Sequence, residues 1–92
     1  MIRALTLPQT LLHDQADACL ADWVAQLTLT SKPAVEVDAS ALVAFDSSVL
    51  AVLLGLRRVV LGHGGSLQIR GMTSRLRELA SLYGVLDLFV QV

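Results

Sequence analysis

The sequence predicts an α/β fold: a small, mostly parallel β-sheet with helices packed against it, in the order β-α-β-α-β-α. Three observations carry this. Short β-type runs recur along the chain at Ala4–Leu7, Ala34–Asp38 and Leu67–Arg70. Long segments with helical apolar spacing separate them. Proline and glycine punctuate the joins. Strands that alternate with helices at this spacing pair in parallel, because each helix serves as the crossover between neighbouring strands. The 92 residues suit a single domain, residues 1–92.

The first strand, Ala4–Leu7, alternates weakly and ends at Pro8, which suits an edge position. A helix is predicted over His13–Leu27, where Ala16, Leu20, Trp23 and Leu27 recur at spacings of four, three and four. Asp14 and Asp17 stand near its start, where the helix dipole favours acids. Thr28–Pro33 is a polar break. Ala34-Val35-Glu36-Val37-Asp38 is a compact strand, and Ala39–Phe45 a loop with Leu42, Val43 and Phe45 expected to turn inward. The second helix opens at Asp46-Ser47-Ser48 and runs to about Leu61. Gly62-His63-Gly64-Gly65 stops it, with glycine available for a left-handed cap. Leu67–Arg70 is the third strand. A third helix spans about Thr73–Tyr83 and halts at Gly84, with Leu76, Leu79, Ala80 and Tyr83 as its apolar stripe. Arg75, Arg77 and Glu78 are left largely wet. Val85–Val92 is a last strand or a short helical tail.

Composition excludes several functions. The net charge is −1 with a pI near 6.0, so no basic field is available for nucleic acid. The longest apolar stretch, Val49–Leu56, is far short of the ~20 residues a spanning helix needs. A lone cysteine, Cys19, rules out an internal disulfide. With the absence of a long apolar leader after Met1, this predicts a cytoplasmic protein. Apolar residues make up 54% of the chain. In a domain this small some of them must reach the surface, which points to a partner.

Catalytic and metal chemistry find little support. His13 and His63 are the only histidines, neither has a second ligand at helical metal spacing, and there is no CxxC pair. No metal and no cofactor are expected. Cys19, inside the first helix, fits a small apolar residue better than a nucleophile. Ser47 and Ser48 are flanked by Phe45-Asp46 and Val49, which do not form a Gly-x-Ser-x-Gly elbow. Gly62-His63-Gly64-Gly65 lacks the lysine and hydroxyl of a phosphate loop and leads into a strand. No enzyme is predicted.

The conspicuous feature is Phe45-Asp46-Ser47-Ser48-Val49-Leu50-Ala51-Val52-Leu53-Leu54. Asp and Ser are good N-caps, since their side-chain oxygens accept amide hydrogens of the first turn. Three such residues in a row also set hydroxyls at the positive end of a helix, where a phosphate or carboxylate is stabilised. Capping and recognition are both open on these grounds.

This segment resembles the STAS family, named for sulphate transporters and anti-sigma-factor antagonists. The family pattern is a strand ending in Asp, a short loop, then Asp-Ser-Ser/Thr-Gly-Leu/Ala opening an apolar helix. Here it stands as Val35-Glu36-Val37-Asp38, Ala39–Phe45 and Asp46-Ser47-Ser48-Val49-Leu50, and the resemblance covers roughly Ala34–Leu88. The family glycine is replaced by Val49, which is expected to add bulk where partners approach. The N-terminal region holds one strand where many members have a hairpin.

Two subgroups follow from the resemblance. In anti-sigma-factor antagonists the second hydroxyl residue, here Ser48, is phosphorylated and expels the partner. The other subgroup is the MlaB-type cytoplasmic STAS subunit of the phospholipid-transporting ABC complex that maintains outer-membrane lipid asymmetry. Its important hydroxyl directly follows the Asp and maps to Ser47. Leu53-Leu54-Gly55-Leu56-Arg57-Arg58 and Leu79-Ala80-Ser81-Leu82-Tyr83-Gly84-Val85 look more like this second subgroup. The resemblance therefore implies a non-enzymatic accessory subunit of the ATPase subunit, meeting the membrane only through that complex. Asp46, Ser47, Ser48, Arg57 and Arg58 are the expected contacts, and Ser48 the possible phosphorylation site.

Overall fold

The structure is a computed structural model and describes residues 2–27 and 32–89. Among the described residues nine elements follow in order: β1 (Ile2–Thr6), β2 (Thr10–Leu11), α1 (His13–Leu27), β3 (Ala34–Asp38), β4 (Ala44–Phe45), α2 (Ser48–Gly62), β5 (Ser66–Arg70), α3 (Ser74–Leu82) and α4 (Leu86–Phe89). The expected polar break falls largely on residues 28–31, outside the described residues. In the C-terminal tail it is the helical alternative that forms, as α4; residues 90–92 lie outside the described residues.

The main sheet has the order β1-β3-β5 and both pairings are parallel. Leu5 stands opposite Val37, and Val37 opposite Ile69. Both crossovers step in the same direction, and crossovers of one hand then place α1 and α2 on the same face. The strands show the result. Leu5, Val35, Val37, Leu67 and Ile69 are buried under the helices. Thr6, Asp38, Gln68 and Arg70, on the alternate positions, face outward. On that outer face Arg70 pairs with Glu36 across β3 and β5, at 2.6 Å.

α2 is the centre of the core. Val49, Val52, Leu53, Leu56 and Val60 recur on one stripe and are buried beside Trp23 and Leu27 of α1. Gly55 lets the helices approach closely, since a Cβ there would stand 2.7 Å from Leu20 Cδ2. At its far end α2 is closed by Gly64, whose φ of +76° is the left-handed conformation expected of a C-terminal glycine.

Two inward expectations are corrected. Val43 is 64% exposed, because its amide bonds to the Gln9 carbonyl and the segment runs along the surface. Tyr83 is 57% exposed. α3 ends one residue earlier, at Leu82, and Gly84 (φ +72°) turns the chain away before Tyr83 can join the stripe of Leu76 and Ala80. Leu82 and Leu88, of α3 and α4, are exposed as well.

Candidate partner-docking site

The site is assembled by the two shortest strands. β2 and β4 pair in parallel, Thr10 with Ala44 and Leu11 with Phe45. Each leads within a few residues into a helix, so the N-termini of α1 and α2 stand side by side. The next residue in register after Phe45 is Asp46, and it faces the entry to α1. Its carboxylate joins the two helices. Oδ1 accepts the Ser48 amide hydrogen at 2.9 Å, and Oδ2 accepts the His13 amide hydrogen at 3.1 Å.

This carboxylate sits between two positive helix ends. Hydrogen bonds from Ser48, first its amide and then its hydroxyl, hold Asp46 below the usual carboxylate range. The His13 amide and the His13 charge add smaller contributions. Asp46 is therefore the capping residue of α2. Ser47 occupies the N-cap position but sits in the right-handed helical region (φ −63°, ψ −13°), and its side chain makes no capping hydrogen bond. Of the Asp and Ser residues that could cap the helix, Asp46 does so and Ser47 does not. An N-cap normally has extended backbone so that its side chain can reach back over the first turn. Ser47 does not.

The two serines differ. Ser47 is exposed. Ser48 is half-buried, and its Oγ lies 3.5 Å from His13 Nδ1, at the outer limit of a hydrogen bond. Around them, Val43 and Leu12 expose apolar side chains. Val49 is fully buried. Its bulk therefore faces the core and does not screen the serines from an approaching partner, contrary to the expectation drawn from its replacing the family glycine.

Of the residues singled out from the sequence, Asp46, Ser47 and Ser48 come together. Arg57 and Arg58 do not join them. They stand about two and a half turns further along α2, roughly 14 Å at the usual helical rise. Arg75, from α3, lies instead over Phe45, just before the serine segment in the chain, with its guanidinium carbon 5.3 Å from the ring centroid. His13 and Arg75 arrive through tertiary pairing, from 33 residues upstream of Asp46 and from the following helix. Local sequence around the serines carries no sign of either.

Elsewhere the polar groups have structural explanations. His63 Nδ1 bonds the Val59 carbonyl at 2.9 Å. Cys19 is partly buried on α1, and burial first, then the nearby Asp22 charge, pushes its thiol up. Among the described residues no group of His, Cys, Asp and Glu could hold a metal, and no helix is long and apolar enough to cross a membrane.

A small parallel sheet with its helices on one face, and a hydroxyl-bearing helix N-terminus at one end, is the architecture of a STAS-type fold. The family model described as "Mlab, STAS domain" matches residues 4–91, and the chain belongs to that family. The match extends the resemblance from Ala34–Leu88 to nearly the whole chain. No curated protein and no solved structure matches it. STAS domains are in general binding and regulatory domains without catalytic activity, and they commonly act by contact with other proteins.

Proposed function

We propose that this domain is a non-catalytic accessory subunit that docks on the ATPase subunit of a phospholipid-transporting ABC complex maintaining outer-membrane lipid asymmetry. Ser47 is the centre of the contact. The observation that carries this is the difference between the two serines. Ser47 is exposed with no side-chain cap bond, while Ser48 is half-buried against His13. A hydroxyl free of internal bonds is the one available to a standing partner. Asp46 positions it, since both carboxylate oxygens already accept amide hydrogens of the domain itself. The domain would then favour the ATPase conformation it binds best and shift its population.

Co-purification with the ATPase encoded beside this chain is the direct test. Ser47→Glu places charge and bulk in the contact and is expected to weaken the complex at least ten-fold. The melting temperature should hold, because no fold-internal bond is lost. Ser48→Ala is expected to weaken it less. A wild-type chain that captures no ATPase subunit sinks the transporter reading. Stoichiometric phosphorylation at Ser48 by a cognate anti-sigma kinase would replace it with a switch.

A further inference from the structure

Arg75 is not accounted for by the fold. It stands in the first turn of α3, where the helix dipole disfavours a cation. Among the described residues the only ion pair is Arg70–Glu36, and Arg75 has no carboxylate within ion-pair reach. Its guanidinium nevertheless has a fixed support, the ring of Phe45. Stacking on an aromatic face restrains an otherwise floppy side chain while leaving its N–H groups free to bond. Phe45 is itself held in the β2–β4 pair and lies two residues before Ser47, at most about 7 Å of chain.

The surroundings state what such a group would bind. Asp46, the nearest carboxylate in sequence, is engaged by the Ser48 and His13 amides. Two helix N-termini add positive potential beside it. Val43, 64% exposed, supplies an apolar contact in the loop just before Phe45. A pre-oriented, unpaired arginine beside exposed apolar surface is the composition of an interface anchor. The complementary group is a carboxylate, which the guanidinium fork grips in two places.

We propose that Arg75, supported by Phe45, is the charge-recognition residue of the Ser47 docking surface and takes a carboxylate side chain of the docked ATPase subunit. This rests on the reading of that surface given above. It moves the arginine contact from Arg57 and Arg58 on α2 to α3.

The test measures affinity between the full chain and the purified ATPase subunit, at two salt concentrations. Arg75→Gln is expected to weaken binding about ten-fold and flatten its salt dependence. Arg75→Glu should weaken it further, and Arg75→Lys should recover part of it. Phe45→Leu keeps the charge but removes its support, and should fall between wild type and Arg75→Gln. Arg3→Glu, on the far edge strand, should change little. Melting temperatures separate lost contact from lost fold; if Arg75→Gln is unstable, Arg75→Lys decides, since undiminished binding and salt slope in it would show that the fork is not used. Arg75→Gln and Arg75→Glu variants that bind like wild type, while Ser47→Glu does not, overturn the role of Arg75 and leave the docking reading standing. A wild-type chain that does not bind the ATPase overturns both.

Discussion

At its C-terminal end α2 meets backbone; at its N-terminal end it meets side chains. After Gly62 the chain turns back so tightly that Gly65 donates its amide to the Val60 carbonyl, and Ser66 donates to the Pro33 carbonyl. A Cβ on Gly65 would overlap the Pro33 carbonyl oxygen and stand 2.8 Å from its nitrogen. Before Ser48, by contrast, one carboxylate holds two amides, and the Ser47 side chain makes no capping bond. The first end is defined by rigid atoms that have nowhere to go. The second is defined by a few exposed hydrogen bonds. Stability is concentrated at one end of the helix, which leaves the other free to carry exposed groups for a partner.

The comparison predicts very unequal responses to small substitutions. The largest is at Gly65. Gly65→Ala must displace backbone, and is expected to cost about 3 kcal/mol or more. In a domain of this length that lowers the melting temperature on the order of 15 °C. Thermal unfolding followed by circular dichroism measures it. A loss of only a few degrees would mean that the turn after α2 yields, and the contrast between the two ends would disappear.

Asp46 tests the other end, with a smaller effect that depends on pH. Its carboxyl is held below the usual range by Ser48 and His13, so its ionised form stabilises the folded state. That contribution is present above the unfolded pKa of about 3.9 and is lost as pH falls through the lower folded value. Asp38, lowered chiefly by the Ser40 side chain and then its amide, behaves in the same way. Asp46→Asn should therefore lower the melting temperature at neutral pH and make the acid limb of the stability profile shallower, with Asp38 supplying what remains. Superimposable acid limbs for the variant and wild type would show that the carboxylate does not join α1 to α2.

How far the sequence discloses this arrangement depends on the range of the interaction. α1 runs His13–Leu27 as its apolar spacing requires, and β3 is Ala34–Asp38, because both are written in local periodicity. The buried stripe Val52, Leu53, Leu56 and Val60 is legible in the same way; Val49 belongs to it as well, although its place in the serine motif points to the partner side. β2 and β4 have two residues each, too few to show any period, and it is their pairing that carries His13 to Asp46. The arginines suffer most from this. Arg57 and Arg58 are close to the serines in sequence and share their helix, yet helical rise carries them away. Arg75 is distant in sequence, and only the fold sets it over Phe45. The Asp46-Ser47-Ser48 segment is local and could be read; the side chains that the fold sets around it are tertiary and could not.

The smallest expected effect lies between the two ends, at Gly55. An alanine there would put its Cβ 2.7 Å from Leu20 Cδ2, a clash, though a milder one than the backbone overlap at Gly65. The obstacle differs in kind. It is the far end of a half-buried side chain, and a rotamer adjustment of Leu20 costs about 0.5–1.5 kcal/mol. Against this, replacing glycine by alanine inside a helix gains about 0.5–1 kcal/mol. The two nearly cancel, so Gly55→Ala should melt within about 5 °C of wild type. Leu20→Ala in the Gly55→Ala background would remove the obstacle, and the double variant should lose less stability than the sum of the two single changes. A large loss from Gly55→Ala alone would mean that the α1–α2 contact is as unyielding as the turn at Gly65. The rigid region of the domain would then extend from that turn into the middle of α2, toward the end that carries Ser47.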